Sequence, residues 1–110
     1  MVENVTKNVK FIFYKNEAFC LRRRISLNER REGGFWVHSY RPLGIVAYGR
    51  TKLDSLLAFA MELSSMWHWL VQEDDDTLAP DAKRLRVWLL GLIVSVRPTR
   101  EVLSEHTQNQ

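Results

Sequence analysis

Side chains capable of acid–base, nucleophilic or metal chemistry are few in this sequence and far apart. The three histidines, His38, His68 and His106, fall on a predicted strand, a predicted helix and the C-terminal tail, without the spacing of metal ligands. Cys20 lies in a predicted strand with no base placed next to it, which is typical of a small packing residue. We therefore expect a protein that is not an enzyme, with no catalytic residue, no metal and no cofactor.

Three consecutive acids, Asp74 to Asp76, are the remaining candidate for a metal site. A calcium loop needs oxygen ligands at alternating positions, a glycine for its turn and a bidentate acid to close it. The three acids are contiguous and no closing acid follows them. We interpret them as a solvated loop that complements the dipole of the following helix.

A cluster of arginines is the most strongly charged feature of the N-terminal half. Residues 1–52 hold 11 Lys and Arg against 4 Asp and Glu, a net charge of +7, whereas residues 53–110 hold 5 against 9, a net charge of −4. One interpretation is a patch for phosphates or for an acidic partner, with Trp36 or Tyr40 as a stacking platform; its candidate members are Arg22, Arg24, Arg30 and Arg31. The alternative is an edge strand whose charge prevents pairing with other chains.

The elements that would position these residues change type halfway along the chain. Alternating apolar residues predict strands over residues 9–15, 18–27 and 35–41, and a short apolar run covers 45–48. A three-residue loop, Lys15 to Glu17, would place Phe13 opposite Phe19 and Phe11 opposite Leu21, which keeps the apolar side chains on one face. Pro42 should end or bend the third strand.

Helical periodicity follows residue 51. Thr51 is a predicted N-cap with Asp54 three residues on, and a helical stripe follows; it consists of Leu53, Leu56, Leu57, Ala60, Leu63, Trp67, Leu70 and Val71. A second helix should begin around residues 77–80 and end at Pro98; its stripe is Leu85, Trp88, Leu89, Leu92, Ile93 and Val96. The prediction is one α+β domain over residues 1–97, an antiparallel sheet of three to four strands followed by two C-terminal helices, with a loose polar tail over 98–110.

Three features of the sequence bear on where the protein is located in the cell. The longest apolar run, Val87 to Val94, has eight residues, whereas a membrane-spanning helix needs about 20. Three arginines lie too close to the N-terminus to leave room for the apolar core of a signal peptide. A single cysteine suits a reducing compartment. We expect a cytoplasmic protein without membrane contact.

The second predicted helix is apolar on more than one side. Its stripe would satisfy one core contact and leave Val87, Leu90 and Val94 on another face. A second copy of the chain would cover that face in a two-fold homodimer. The alternative is that the first helix and the tail around Val102 and Leu103 cover it within one chain.

One longer stretch resembles a known family. GFWVHSYRPLGIVAYGRTKLDSLLAFAMEL, residues 34–63, is similar to the core of HicB-like antitoxins, where an aromatic strand, a Pro/Leu/Gly kink, a second strand ending in Gly-x-Thr and an amphipathic helix follow one another. The matching positions are Gly34, Trp36, Val37, Ser39, Leu43, Gly44, Gly49, Thr51 and Leu56. Arg50 stands where the family usually has an acid, and the acids usual early in the helix are reduced to Asp54.

The resemblance implies a partial double-stranded-RNA-binding-like fold that dimerises and masks a small RNA-cleaving toxin. No ribbon-helix-helix or helix-turn-helix segment follows the two helices, so we expect no C-terminal DNA-binding domain of the kind many such antitoxins carry. The function expected from the resemblance is a protein-interaction module with a toxin-like protein partner. The alternative is a small RNA- or DNA-binding protein that uses the basic N-terminal sheet.

Overall fold

The chain alternates between one antiparallel sheet and helices packed against it. A computed structural model describes residues 4–108. Its strands and helices are β1 (Asn4–Tyr14), β2 (Glu17–Glu32), β3 (Phe35–Tyr40), β4 (Ile45–Gly49), α1 (Lys52–Gln72), α2 (Pro80–Leu92), β5 (Ile93–Pro98) and α3 (Thr99–Gln108), with 3-10 turns at Arg41–Leu43 and Asp75–Thr77. The sheet order is β1-β2-β3-β4, and β5 pairs with β2. The predicted α+β class with an antiparallel sheet is confirmed, and the sheet gains a fifth strand.

The 16-residue β2 holds the sheet together by changing partners along its length. On one edge it pairs with β1; on the other, Glu17–Leu21 pair with β5 and Asn28–Glu32 pair with β3. Within the described chain, neither β3 nor β5 pairs with residues 22–27 of β2. The sheet therefore has a gap, called the notch below, beside residues 22–27 of β2.

The predicted three-residue loop of the first hairpin is wrong. Tyr14 pairs with Glu17, so the loop is Lys15-Asn16, and Lys15 adopts a φ of 53°. Phe11 then faces Cys20, and a bulge in β2 over residues 21–24, opposite Lys10, shifts the register before Val9 pairs with Ile25. The prediction assumed one wet face, whereas in this part of the sheet both faces carry packed apolar residues.

The stretch from β3 to α1 is built as the sequence predicts. Pro42 lies in the 3-10 turn between β3 and β4, and Gly44 ends that turn with a φ of 67°, a conformation that favours glycine. The Thr51 hydroxyl accepts a hydrogen bond from the Asp54 backbone N–H at 3.0 Å, so Thr51 is the N-cap of α1. Gly49 has a different role from a turn glycine: a Cβ there would lie 2.3 Å from the Ser55 backbone nitrogen, so only glycine lets β4 approach α1 this closely.

The second predicted helix is too long. α2 ends at Leu92, and Ile93–Pro98 form strand β5 against the first part of β2. The β-branched run Ile93, Val94 and Val96 suits a strand, and the free edge of β2 offers it a partner. Val96, expected on the helical stripe, pairs with Phe19 instead.

The expected loose tail is helical where the structure describes it. Thr99–Gln108 form α3, and the last two residues lie outside the described part, as does the side chain of His106. Val102 is buried against Ala18 and Cys20 on the face of the sheet opposite the main core. The main core lies between the sheet and helices α1 and α2, around Phe19, Leu63 and Leu89. Within residues 4–108, helices long and apolar enough to cross a membrane are absent.

Candidate interaction surfaces

The four arginines of the predicted patch do not lie on one surface. Arg30 donates from Nη1 to Asn28 and Ser39, and pairs through Nε with Glu32 at 2.9 Å. Arg31 follows Arg30 in the strand, so its side chain points to the opposite face. There its guanidinium lies over the Trp36 ring, 5.4 Å from the ring centroid.

The other two arginines lie near the notch. Arg22 donates from Nε to the Gly91 carbonyl at 2.8 Å, which ties the bulged part of β2 to the end of α2. Arg24 is exposed. Because the patch is divided between two faces, its members cannot all contact one ligand.

The residues predicted to form a dimer interface are exposed. Val87 is 70% exposed and Leu90 48% exposed on α2, and Val94 is 50% exposed on β5. Val94 therefore belongs to a strand and not to the same helix face, although it directly follows that helix. Trp88, expected in the core, is 43% exposed. Val87, Leu90 and Val94 define the α2–β5 surface.

Neither α1 nor the tail covers this surface. The tail residue Val102 is buried against Ala18 and Cys20, and Leu103 is half-exposed. The alternative in which the first helix and the tail bury Val87, Leu90 and Val94 within one chain is therefore wrong for the described chain.

A second apolar surface lies between β1 and α1 and was missed from the sequence. Leu53, Leu57 and Met61 recur every four residues along α1 and are about half-exposed or more. Leu53 and Leu57 border a groove of about 270 Å³ that runs along β1, and the rest of its lining includes Val9, Phe11, Phe13, Leu56 and Phe59. Leu53 and Leu57 were assigned to the core stripe, because periodicity identifies an apolar face but not how far the sheet reaches beneath it.

A third surface is the side of β2, β3 and β4 that faces away from α1. Cross-strand pairing places Arg30, Val37 and Tyr48 in one row, and Asn28, Ser39 and Val46 in the next. Strand alternation adds Ser26 and Phe35 to this side. These eight residues define the open face. Tyr48 is 54% and Phe35 44% exposed.

A cavity of about 510 Å³ adjoins the open face where the chain turns from β3 into β4. Its polar lining comes from Ser26, Asn28, Ser39 and Arg41. Of the predicted stacking residues, Trp36 is on the α1 side of the sheet, and Tyr40 lines the cavity but is buried.

A buried polar cluster joins the sheet to the first turn of α1. The His38 ring contacts Ser55 Oγ through Nδ1 and Glu29 Oε2 through Nε2, both at 2.7 Å. Ser55 Oγ also lies 3.0 Å from the Ala47 carbonyl. The Ser55 proton can serve only one acceptor. A neutral ring accepts it at Nδ1, whereas a protonated ring donates to both neighbours and leaves the hydroxyl to Ala47.

The Glu29 carboxylate is stabilised within this cluster. Burial opposes its ionisation, but the hydrogen bond from His38 and the nearby Lys52 ammonium, 3.5 Å away, outweigh burial and hold the pKa of Glu29 below its ordinary value. Glu29 and His38 are directly paired across β2 and β3. That pairing was not visible in the sequence, because it depends on the register of two strands.

The cluster has the residue types of a serine–histidine–carboxylate triad but not its accessibility. Ser55 and His38 are both 0% exposed, and neither the 510 Å³ cavity nor the β1–α1 groove is lined by them. A nucleophile must reach a substrate carbonyl, so this arrangement serves to fix α1 on the sheet. No group of three or more His, Cys, Asp and Glu within the described chain is arranged to hold a metal ion.

Comparison with known proteins adds no relative. No family model, no curated protein and no solved structure matches the chain. The resemblance of residues 34–63 to HicB-like antitoxins therefore stays an expectation.

Proposed function

We propose that this chain is a non-enzymatic, cytoplasmic protein-interaction module that works as a homodimer through the α2–β5 surface. In the family that residues 34–63 resemble, such modules mask a small RNA-cleaving toxin. By that resemblance, this module binds a toxin-like protein partner.

The observation that carries the proposal is the exposure of the α2–β5 surface. Val87, Leu90 and Val94 present branched apolar side chains to solvent within eight residues of chain. Contiguous exposed apolar surface typically marks a binding site. A two-fold interface is self-complementary, so one apolar surface is enough to form it.

The non-enzymatic part rests on the site chemistry. Ser55 and His38 form a close serine–histidine pair, and both are fully buried. Their hydrogen bonds to Glu29 and to the Ala47 carbonyl hold them in a fixed internal cluster.

Light scattering at micromolar concentration tests the dimer. Wild type should have twice the 13.0 kDa mass of one chain. Leu90→Glu should have the monomer mass with an unchanged circular dichroism spectrum, because a charge on the interface must be desolvated on association. Leu57→Glu is the matched control: Leu57 is 47% and Leu90 48% exposed, but Leu57 lies at the β1–α1 groove.

A wild-type monomer would contradict the proposal. A dimer that Leu57→Glu dissociates and Leu90→Glu preserves would move the interface to the groove. The partner is tested separately: protein purified from its native cell should retain a protein partner, and the purified pair should show inhibited RNA cleavage relative to the partner alone. A partner with no such activity would contradict the toxin part of the proposal.

A further inference from the structure

Part of the sheet has no covering layer within the described chain. Helices α1 and α2 pack on one side, and α3 covers the other side only near Ala18 and Cys20. Over β3 and β4 this side of the sheet carries no packed core cluster within the described chain. Phe35, Val46 and Tyr48, each 44% to 54% exposed, stand on it.

The two exposed rings are placed to act separately. Tyr48 is paired with Val37, and Phe35 lies two residues before Val37 on the same side of β3. From strand spacing and rise, their Cα atoms are about 8 Å apart. Each ring can therefore carry its own planar group, while Val37 between them is fully buried.

The charge along the open face is mainly positive, and Arg30 is the arginine that lies next to the rings. Arg30 is held on the open face by Asn28, Ser39 and Glu32, so its guanidinium is fixed in place. Arg41 is exposed and lines the adjoining cavity. Arg24, one residue before the core residue Ile25, points to this side by strand alternation. Three arginines against the one carboxylate of Glu32 favour a polyanion.

The adjoining cavity supplies hydrogen-bonding groups. Its volume of about 510 Å³ lies within the range of small-ligand sites. Ser26, Asn28 and Ser39 bring hydroxyl and amide groups, which both donate and accept. Exposed rings, a fixed guanidinium beside other arginines, and short polar side chains together are the features that bind unpaired bases and their phosphates.

We propose that the open face binds single-stranded nucleic acid. Bases stack on Tyr48 and Phe35, and phosphates contact Arg24, Arg30 and Arg41. This activity goes beyond the proposed dimer and does not depend on it, because the α2–β5 surface contributes none of these residues.

Fluorescence anisotropy with labelled single-stranded RNA and DNA of about 10 nucleotides tests this proposal. Both strands should bind, and a duplex of the same sequence should bind more weakly because its bases are already stacked. Tyr48→Ala and Phe35→Ala should each weaken binding about tenfold, whereas Tyr48→Phe should bind like wild type. Trp69→Ala is the matched control, since Trp69 is as exposed as Tyr48 but lies on α1.

The salt dependence of the affinity measures how many phosphates the protein contacts. Three contacts predict a slope of about −2 for log affinity against log salt with single strands, and Arg41→Gln should reduce its magnitude by about 0.7. Polyglutamate of equal charge should not displace the strand, because it cannot stack.

Absent binding at low salt would overturn the proposal, as would affinity that Tyr48→Ala and Phe35→Ala leave unchanged. Equal displacement by polyglutamate, or a duplex bound as tightly as the single strand, would also overturn it. Leu90→Glu should bind the strand like wild type, so failure of the dimer and failure of nucleic-acid binding are separate results.

Discussion

Replacing Gly49 by alanine should be among the most damaging single-methyl changes in this chain. The added Cβ would lie 2.3 Å from the Ser55 nitrogen, 2.6 Å from the Asp54 carbonyl carbon and 2.8 Å from the Asp54 Cβ. Favourable contact between carbon atoms needs about 3.5–4.0 Å, so β4 and the first turn of α1 must separate by about 1 Å. Two of the three neighbours are backbone atoms and cannot rotate away.

The size of the effect has two parts. Overpacking of this kind costs about 1–3 kcal/mol. Separation also lengthens the bonds that Ser55 makes to His38 and to the Ala47 carbonyl, and a buried hydrogen bond contributes about 1 kcal/mol. We expect Gly49→Ala to lower the free energy of unfolding by about 3 kcal/mol. For a domain of this size that lowers Tm by about 12 °C.

Urea unfolding followed by tryptophan fluorescence measures this, since Trp67 contacts Phe19 in the core. With an m value of about 1.5 kcal/mol/M, the midpoint should fall by about 2 M. Gly91→Ala is the control: no atom lies within 4 Å of its added Cβ, and alanine should stabilise α2 by about 0.5–1 kcal/mol. A Gly49→Ala midpoint within error of wild type, or equal losses at both glycines, would refute the close-approach argument.

Three further changes test the other contacts. Thr51→Ala removes the N-cap of α1 and should cost about 1 kcal/mol in urea unfolding, with Thr51→Ser close to wild type. Val102→Ala should cost about 2 kcal/mol and speed hydrogen exchange in α3, and unchanged exchange would mean that α3 does not dock there. Glu29 has a lowered pKa in the folded state, so its contribution is complete above the ordinary value of 4.5 and is lost as pH falls through the folded pKa. The stability gap between wild type and Glu29→Gln should therefore shrink as pH falls below 4.5; a gap that does not change in that range would contradict this.

The parts of the fold that depend on local signals could be predicted from the sequence. Thr51 caps α1 because its hydroxyl is three residues from a free backbone N–H, and Pro42 ends β3 because it cannot continue a ladder. Gly44 adopts the left-handed conformation that its position in the kink suggested. Each of these depends only on residues within a few positions.

The parts that failed depend on distant segments. The Phe11–Phe13 register was chosen for a sheet with one wet face, but α3 comes from the other end of the chain to cover Ala18 and Cys20. Ile93 and Val96 continue a helical period, yet they pair with β2 because its edge is free. Periodicity cannot identify which edge a strand will find.

The candidate surfaces also divide into features that could be predicted from the sequence and features that depend on distant segments. The exposure of Val87 and Leu90 followed from an excess of apolar residues around one helix. Arg30 and Arg31 lie beyond the predicted strand over 18–27, so their separation onto two faces followed only once β2 was known to run to Glu32. The open face needed the sheet order, because Tyr48 and Arg30 are brought together by β3 between them.

Backbone amide shifts followed by NMR during dilution test the dimer most directly, because they report which residues leave an interface. As the dimer dissociates, shifts should change for Val87 to Val94 and stay constant for Leu53 to Met61 and for the open face. Leu90→Glu should show the dilute wild-type shifts at all concentrations. Shifts that are independent of concentration, or that move at the β1–α1 groove while α2 and β5 stay constant, would contradict a homodimer built on the α2–β5 surface.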